Sequence, residues 1–353
     1  MKNLMLAMSG GVDSSAALIL LKDKYNIIGA TMNLFNGAEA ACDEARAVAE
    51  RFGIPHYIFD LKEQFRRDVI EKFIQSYADG ETPNPCVVCN KHIKFGELFN
   101  AAKSIGCELM ATGHYARVEY DAGSGRYLLK KAISRRNEVS AKDQSYVLYN
   151  LSQEQLSRVI FPLGSLDKAQ VRGLALEHDL ASAGKPDSQD ICFIPDGDYA
   201  GYIERYTGKT PESGDIIDSS GKFLGKHSGI INYTIGQRKG LGLSAPEPLY
   251  VTGKDAESNT VTAGVNSELF SSTLTARELN WIAFAELKQT MRLYARTRYS
   301  QPEQPCTVSP IDDNKVKVIF DSPQRAITPG QSVVFYDGDV IIGGGTIQLT
   351  IDN

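Results

Sequence analysis

Hydrophobic positions in the first 205 residues form short runs that alternate with segments of helical periodicity. Short apolar runs are typical of buried strands, and apolar residues spaced three and four apart are typical of amphipathic helices. The pattern predicts strands over residues 4–8, 27–32 and 55–59 and helices over 14–24 and 38–52. Strands that alternate with helices favour a parallel sheet covered on both faces. We therefore predict a doubly wound α/β domain over residues 1–205.

The pattern changes after about residue 205. Short β-rich runs broken by Gly, Pro, Asn and Asp replace the helical periods, as in residues 249–252, 260–263, 315–320, 332–336 and 340–342. Such runs are typical of small barrels or sandwiches. We predict a small, mostly β central domain over residues 206–270 and a C-terminal β-barrel over 271–353.

Composition narrows the class of protein. With 42% hydrophobic and 23% charged residues in 353, the chain is an ordinary globular protein, which excludes disordered, collagenous and coiled-coil classes. No apolar run approaches the ~20 residues of a membrane helix, and Asp13 with the preceding Gly-Gly turn interrupts the apolar N-terminal stretch. We therefore expect a cytoplasmic protein with no membrane partner. The net charge of −5 excludes a uniformly basic nucleic-acid coat protein but allows local basic faces.

A glycine- and serine-rich turn follows the first predicted strand. Residues 9–15 read SGGVDSS and lead into the first helix. Glycines let the backbone fold closely around an anion, and the N–H groups at the start of a helix face it. The serine hydroxyls add donors. The pattern matches neither the kinase-type phosphate loop nor the dinucleotide fingerprint. The alternative is a helix N-terminus that follows a glycine turn and binds no ligand.

Cys86 and Cys89 lie in a proline-paced segment, TPNPCVVCNK, which precedes a predicted helix with a buried stripe of Phe95, Leu98, Phe99 and Ala102. We expect Cys89 just before the helix N-terminus and close to Lys91, which would both favour the thiolate. Half of a zinc site is the alternative, although the second pair of ligands is missing.

The other four cysteines carry weaker signals. Six cysteines in 353 residues are too few for a disulfide scaffold. Cys192 follows a polar turn and enters a short apolar run, where a cysteine is commonly inert packing. Cys42, Cys107 and Cys306 are expected to be small buried residues.

The motifs taken together resemble one enzyme family. SGGVDS resembles the PP-loop of the N-type ATP pyrophosphatases, which split ATP into AMP and pyrophosphate. The whole series resembles the tRNA-specific 2-thiouridylase family, over nearly the full chain and in order. The motifs that carry this resemblance are TPNP at 82–85, CNKHIKF at 89–95, ATGHY at 111–115, KDQSY at 142–146, ICFI at 191–194, YTIGQRKG at 233–240, ARTRY at 295–299 and PGQ at 329–331.

The resemblance implies a nucleotide site at the carboxyl edge of a PP-loop-type parallel sheet. The PP-loop would hold the departing pyrophosphate, Asp13 could help position Mg²⁺, and Met32 and Gly113 would approach the nucleotide. In this family a Met-Lys-aromatic stretch usually follows the second strand, whereas this chain has MNLF at 32–35. The implied ATP-binding residues are Ala7, Met8, Ser9, Gly10, Gly11, Val12, Asp13, Ser14, Met32 and Gly113.

The resemblance also implies the chemistry, which is sulfur transfer to C2 of the wobble uridine. ATP would first adenylate the C2 oxygen, because a uracil carbonyl is a poor electrophile. Cys192 would carry a persulfide received from an upstream donor protein, and Cys89 would resolve the linkage into a Cys89–Cys192 disulfide. The base would be flipped out of the anticodon stack into this pocket.

One departure leaves the general acid/base without an assigned residue, because most family members carry an acidic residue at the position of Cys86. The alternative is an iron–sulfur cluster held by Cys86, Cys89 and Cys192, with one iron left open to hold the sulfur.

Two basic segments are candidate RNA contacts. Residues 126–142 contain six basic side chains and one acid, Glu138, and the strand pattern of 291–300 places Arg292, Tyr294, Arg296 and Arg298 on one face. A solvated surface is the alternative for each segment. The basic side chains of the first segment are Arg126, Lys130, Lys131, Arg135, Arg136 and Lys142.

The family resemblance implies a more specific set of tRNA contacts. It predicts contacts at Lys142, Asp143, Gln144, Arg298, Tyr299 and Gln331, and contacts with the flipped base at Asn84, Pro85, Cys86 and His114. His114 could equally be a structural histidine. The expected substrates are the tRNAs for lysine, glutamate and glutamine, and the expected enzyme is a monomer.

Two other functions remain open from the sequence. One is another PP-loop ligase that activates a nucleobase or small-molecule carbonyl and needs no paired thiols. The other is a non-catalytic RNA-binding module that holds a metal ion.

Overall fold

The computed structural model describes residues 1–134, 138–184 and 191–348. The strands of its N-terminal part are β1 (Asn3–Ala7), β2 (Asn26–Asn33), β3 (His56–Asp60), β4 (Leu109–Ala111), β5 (Ala116–Asp121), β6 (Arg126–Lys131) and β7 (Val159–Ile160).

The helices include two stretches with π-helical turns, at Arg66–Ile70 and Asn90–Glu97. The α-helices are α1 (Val12–Leu21), α2 (Glu39–Arg51), α3 (Lys62–Phe65), α4 (Glu71–Ala78), α5 (Pro85–Cys89), α6 (Leu98–Ser104), α7 (Gln153–Arg158), α8 (Lys168–Glu177) and α9 (Tyr199–Thr207).

The N-terminal sheet is parallel, with strand order β3-β2-β1-β4-β7. β1 is central, and its Leu4, Met5 and Leu6 are fully buried because helices cover both faces. The first three predicted strands and two predicted helices lie within three residues of the observed bounds. The prediction of a doubly wound domain is confirmed. The order of strands reverses at β1, so the gap between the carboxyl ends of β1 and β4 is the expected place for a ligand.

The central part forms a four-stranded sheet in the order β10-β11-β8-β9. Its Val251, Val261 and Ile216 are fully buried and join a core that includes Phe65 and Phe73 of the N-terminal helices. The central sheet therefore packs against the helical side of the first domain. Its strands are β8 (Gly214–Ile217), β9 (Phe223–His227), β10 (Tyr250–Asp255) and β11 (Thr260–Gly264).

The C-terminal strands form a closed barrel of six strands, in the order β12-β15-β14-β13-β16-β17 with β17 pairing back to β12. Each of the six barrel strands is paired on both sides, and the same sheet continues from β17 to β6 and ends at β5. The prediction of a C-terminal β-barrel is confirmed, while the domain boundaries at 205 and 270 stay predictions. The strands are β12 (Phe270–Trp281), β13 (Met291–Arg296), β14 (Gln304–Asp312), β15 (Lys315–Arg325), β16 (Ser332–Asp337) and β17 (Val340–Gln348).

A hairpin of the N-terminal part joins the barrel to the first domain. β5 and β6 form an antiparallel pair, and β6 pairs with β17 through Lys130 and Val340. The Arg126 guanidinium donates to the carbonyl oxygen of Ile282 at 2.8 Å. This joint is not visible in the sequence pattern, because its partners are more than 150 positions apart. Within the described ranges, no helix is long and apolar enough to cross a membrane.

Candidate active site

The phosphate loop connects the carboxyl end of β1 to the N-terminus of α1. Gly11 precedes the helix, and no side chain caps the first amides. Gly10 has φ +73°, and a Cβ there would lie 2.7 Å from Cβ of Glu44, so only glycine fits this turn. The first N–H groups of α1 therefore stay available to an anion. The hydroxyls of Ser14 and Ser15 donate to the Gly11 carbonyl oxygen, at 3.1 and 3.0 Å, and tighten the turn.

The Thr112-Gly113 segment after β4 packs directly against this loop. A Cβ at Gly113 would lie 2.9 Å from the carbonyl carbon of Asp13 and from the amide nitrogen of Ser14. The close approach of the two backbones therefore requires glycine. This contact brings the ends of β1 and β4 together at the switch point of the sheet.

Asp13 lies in the first turn of α1 and is held by two partners. Nζ of Lys168 lies 2.8 and 2.9 Å from its two carboxylate oxygens, and the Tyr115 hydroxyl donates to Oδ1 at 2.7 Å. Asp13 was predicted to help position Mg²⁺. A carboxylate suits that ion, but Lys168 already contacts both oxygens, so an Mg²⁺ at Asp13 requires the ammonium to move.

One cavity of about 1190 Å³ joins the phosphate loop to the cysteines. Met8 and Ser9 of the loop line one end, with Met32 at the carboxyl end of β2. The other end is lined by three thiols and their neighbours. These are Pro85, Cys86, Cys89, Lys94, Ile191, Cys192, Phe193 and Pro195. The structure therefore brings Cys89 and Cys192 together, at the nucleotide end of the sheet.

Cys86 and Cys89 share one side of α5. They are three positions apart in a helix, a spacing at which side chains are neighbours. The Asn84 side chain caps this helix by accepting from the Val87 amide at 3.4 Å, and Pro85 occupies the first turn. The predicted position of Cys89 before the helix N-terminus is wrong, because capping by Asn84 starts the helix at Pro85. The buried stripe from Phe95 to Ala102 is confirmed.

Cys192 faces the cavity from the loop before α9. Its neighbour Phe193 is buried and packs edge-on against Phe65 and Phe73, at centroid distances of 5.6 and 5.5 Å. Ile194 is also buried, whereas Cys192 is exposed. The apolar run packs through Phe193 and Ile194, so the alternative of Cys192 as inert packing is wrong. Cys42, Cys107 and Cys306 are buried, as predicted.

Comparisons with known proteins give the family. A family model described as tRNA methyl transferase HUP domain matches residues 2–196. Models described as tRNA methyl transferase PRC-barrel domain and aminomethyltransferase beta-barrel domain match 200–265 and 271–347. The tRNA-specific 2-thiouridylase MnmA of Acetivibrio thermocellus is 48% identical over 98% of this chain and 99% of the relative. That of Clostridioides difficile is 45% identical over 99% of both.

The chain belongs to the tRNA-specific 2-thiouridylase family. This agrees with the resemblance carried by the sequence motifs. The cavity has the phosphate loop at one end and the thiols of Cys86, Cys89 and Cys192 at the other.

The thiols of this 2-thiouridylase site are in their neutral form. Burial raises the pKa of Cys89 to about 12, and the nearby positive charge of Lys94 only partly opposes this effect. Burial also raises the pKa of Cys86 and of Cys192, although both are open to the cavity, because its protein walls exclude bulk water. The predicted thiolate at Cys89 is therefore wrong for this conformation. The cation beside it is Lys94, and Lys91 is exposed on another side.

Among the described residues, no group forms a metal site. Cys86, Cys89 and Cys192 line the same cavity, but no three Cys, His, Asp or Glu side chains in the described ranges are placed to hold a metal ion. The described residues therefore give no support to the iron–sulfur alternative or to half of a zinc site.

His114 and Asn84 do not line the thiol cavity. The His114 ring lies 5.9 Å from the Phe95 ring and 6.0 Å from that of Phe161, and its Nδ1 contacts Oγ1 of Thr112 at 2.7 Å. Burial, helped by the charge of Lys94, holds the pKa of His114 well below its usual range. These contacts favour the structural interpretation of this histidine. Asn84 lines a separate cavity of about 470 Å³ on the other side of α5.

Several predicted tRNA contacts instead join the domains. Nε2 of Gln331 donates to the carbonyl oxygens of Thr82 and Pro83, at 2.9 and 3.2 Å, and so ties the barrel to the segment that precedes the cysteines. The Tyr299 hydroxyl donates to the Asp143 carbonyl oxygen at 2.9 Å.

Asp143 and Gln144 make further contacts within the chain. The buried Asp143 carboxylate accepts from the Ala132 amide and from Ser145, and burial raises its pKa. The Gln144 side chain accepts from the Tyr115 amide at 3.0 Å. The tRNA contacts at Lys142, Asp143, Gln144, Tyr299 and Gln331 stay predictions.

Arg298 lies beyond the end of β13, so its predicted place on one strand face with Arg292, Tyr294 and Arg296 is wrong. Its guanidinium donates to Thr328 Oγ1 at 2.6 Å and to the Ile235 carbonyl oxygen at 3.1 Å. These bonds connect the segment around Thr328, between β15 and β16, to the central part of the chain at Ile235.

The described side chains of the first basic segment have partners. Lys130 and Lys131 pair with Glu119 and Glu303, at 2.7 and 2.6 Å. Arg135 and Arg136 lie outside the described residues. On the barrel, Arg292 forms a bidentate pair with Asp321, whereas Tyr294 is exposed. Internal acids therefore neutralise much of the charge that the sequence pattern assigns to RNA.

Lys168, Arg172 and Lys94 carry no role in the sequence-based prediction. Lys168 neutralises Asp13, and Arg172, one turn further along α8, lines the cavity. Lys94 lines its thiol end. Helical spacing of Lys168 and Arg172 shows that they share a face, but the sequence does not show that this face meets the phosphate loop.

Proposed function

We propose that this chain thiolates the wobble uridine of tRNA at C2 in an ATP-dependent reaction. The observation that carries the proposal is the single cavity that holds the phosphate loop, Cys89 and Cys192. The family, shown by full-length relatives named as tRNA-specific 2-thiouridylases, gives the reaction class.

The first half-reaction is adenylation of the base. The C2 oxygen of uracil attacks the α-phosphorus of ATP, the bond to the β-phosphate oxygen breaks, and pyrophosphate leaves. The amides of the phosphate loop and the N-terminus of α1 stabilise the charge that develops on pyrophosphate. Mg²⁺ bound with ATP supplies further charge neutralisation on the phosphate oxygens. The product carries AMP as a leaving group on C2.

The second half-reaction is sulfur transfer. The terminal sulfur of a Cys192 persulfide attacks C2, and AMP leaves with the former C2 oxygen. The Cys89 thiolate then attacks Sγ of Cys192, and the electron pair of the broken S–S bond goes to the sulfur on C2. The products are 2-thiouridine and a Cys89–Cys192 disulfide, which a dithiol reductant reopens. Cys89 must lose its proton first, so a change in its surroundings accompanies this step.

The sulfur donor, the tRNA substrates, the location, the oligomeric state and the tRNA-contacting residues are also part of this proposal. An upstream persulfide donor protein loads Cys192, and the substrates are the tRNAs for lysine, glutamate and glutamine. We place the enzyme in the cytoplasm, where ATP and tRNA are available, as a monomer on one tRNA. Pro85 and Cys86, which line the thiol cavity, are proposed around the base, whereas the positions of Asn84 and His114 do not support a base contact in this conformation. Arg298 is proposed to contact tRNA with the residues named above.

Mass spectrometry of tRNA tests the function. Unmodified tRNA is incubated with the protein, ATP, Mg²⁺ and a persulfide donor, and its nucleosides are analysed. We expect 2-thiouridine at the wobble position, with pyrophosphate and AMP formed in equal amounts. Formation of pyrophosphate with an aminated product would instead indicate another PP-loop ligase. A product that forms only with iron-loaded protein would overturn the persulfide route.

A further inference from the structure

Lys94 places a positive charge at the thiol end of the cavity. Among the described residues that line the cavity, the charged side chains are Lys94 and Arg172. Arg172 belongs to α8, which contacts the phosphate loop through Lys168, so it lies with the nucleotide end. Lys94 belongs to the helix that carries Cys86 and Cys89. No described carboxylate lines this cavity.

The π-helical turn explains why Lys94 faces the thiols. In an α-helix, Lys94 would point about 140° away from Cys89, since five residues cover more than one turn of 3.6. The turn from Asn90 to Glu97 is π-helical, and π-helical hydrogen bonds join residues five apart. Residues 89 and 94 therefore lie nearly above one another, and Lys94 lines the same cavity as Cys89. The unusual backbone turn moves a cation onto the cysteine face.

The Lys94 ammonium has no partner among the described residues. No carboxylate, aromatic ring or hydrogen-bond acceptor in the described ranges pairs with it, although its side chain is half-buried. Its charge therefore acts on the cavity. It lowers the pKa of Cys86, Cys89 and Cys192, in each case against the larger effect of burial.

We propose that Lys94 stabilises the negative charge that sulfur carries during transfer. This inference rests on the proposed function. The ammonium faces the terminal sulfur of the Cys192 persulfide before attack on C2, and the Cys89 thiolate during resolution. It keeps its proton and forms no bond, so the balance of the sulfur-transfer step is unchanged. Its role is electrostatic, in a cavity whose low polarity strengthens the interaction.

The groups around Lys94 allow a clear test. The facing titratable groups are the thiols of Cys86 and Cys89 on its own helix and of Cys192 on the opposite loop, with His114 behind them. Arg172 faces the cavity from α8. Lys91 is a matched control, because it lies one turn away on the same helix, is exposed and lines the other cavity.

The first experiment uses the protein alone, without ATP or tRNA. Cys86 and Cys192 are alkylated with iodoacetamide between pH 7 and 10, and peptide mass spectrometry measures the rate of alkylation. The proteins compared are wild type, Lys94→Met, Lys94→Arg and Lys91→Met. We expect Lys94→Met to slow alkylation about tenfold at pH 8 and to shift its pH profile upward, because one pKa unit changes the thiolate fraction tenfold. Lys94→Arg and Lys91→Met should keep the wild-type profile. A Lys94→Met profile that coincides with wild type would overturn the proposal.

The second experiment separates the two half-reactions. Lys94→Met should retain tRNA-dependent pyrophosphate release within about twofold and lose about tenfold or more in 2-thiouridine formation. Equal loss in both half-reactions would show a structural role and overturn the proposal. If wild type forms no 2-thiouridine at all, the proposed function fails, while the alkylation profiles still decide whether Lys94 supports the thiolates.

Discussion

The two ends of the cavity are built in different ways. The phosphate end consists of backbone, with Gly10 and Gly113 allowing tight turns and close contacts at the edge of a rigid sheet. The thiol end consists of side chains on a short helix and a loop, and burial keeps these thiols protonated. The nucleotide half is therefore ready for its ligand, whereas the sulfur half must be activated. Backbone dipoles stabilise the negative charge of the phosphates, which is present whenever ATP is bound. A thiol must lose its proton before it reacts, and burial disfavours that loss.

The largest effect should come from removing the sulfur carrier. Cys192→Ser is expected to lower 2-thiouridine formation at least about a thousandfold, because serine cannot hold a persulfide. Pyrophosphate release with tRNA should persist, since the phosphate end is intact. Nucleoside mass spectrometry and a pyrophosphate assay measure the two halves. Cys306→Ala, at a buried cysteine in the core of the barrel, is the control, and thiolation by Cys192→Ser would contradict the assignment.

The opposite pattern is expected at the phosphate end. Gly113→Val should lower pyrophosphate release about a hundredfold, because its Cβ would push the Asp13–Ser14 backbone away, and misplacement by about 1 Å costs such a factor. Alkylation of Cys192 in the protein alone should be unchanged. Gly173→Ala is the control, as nothing lies within 4 Å of a Cβ there. Wild-type pyrophosphate release by a folded Gly113→Val protein would show that this contact does not shape the loop.

Substitution of Lys168 tests whether its ammonium neutralises Asp13 at the phosphate end of the cavity. Lys168→Met should slow pyrophosphate release about tenfold, because Asp13 would then place an unneutralised negative charge beside the triphosphate. Lys168→Arg should recover part of the rate, and the alkylation of Cys192 should not change. Steady-state kinetics at several ATP concentrations separates weaker binding from slower chemistry. A faster reaction in Lys168→Met would mean that the ion pair holds Asp13 away from Mg²⁺.

The smallest expected effect is a difference in alkylation rate between Cys89 and Cys192 at the thiol end. The pKa of Cys89 is raised to about 12, so its thiol stays neutral below about pH 11 and its alkylation rate should rise throughout the range from pH 7 to 10. At pH 8 we expect Cys89 to react about tenfold more slowly than the exposed Cys192. Adding tRNA and ATP should narrow this difference if substrate binding activates Cys89. Equal rates in the free protein would contradict the shielded arrangement.

Local sequence information was sufficient for the elements of the first domain. The run that forms β1, the Gly-Gly turn and the apolar positions of α1 are determined by nearest neighbours and by helical or strand periodicity. The barrel also follows from its short β-rich runs. The start of the cysteine helix at Pro85 was missed, because the cap depends on the Asn84 side chain and the prediction placed the turn at Cys89.

Other features depend on contacts between distant segments. The direction of Arg298, the pairing of Asp13 with Lys168 and the joint between β6 and β17 each link residues that pattern analysis treats separately. The pKa values of the thiols also depend on contacts between distant segments. Burial of Cys89 by several elements raises its pKa more than the charge of Lys94 lowers it. The motifs and the family resemblance predicted the reaction class, but they did not predict the protonation state of the thiols.

The sequence by itself determined the types of element, the phosphate loop and the two thiols, Cys89 and Cys192, that the proposed chemistry uses. The tertiary structure decided which of these groups meet, which charges are neutralised internally, and which cation faces the sulfur. The physical reason is that backbone propensity and periodicity act over a few residues, whereas desolvation and Coulomb interactions depend on all neighbours in space. The π-helical turn at Asn90–Glu97 combines a local and a tertiary effect. A local change in backbone winding places Lys94 in the cavity, where its charge acts on thiols from other segments.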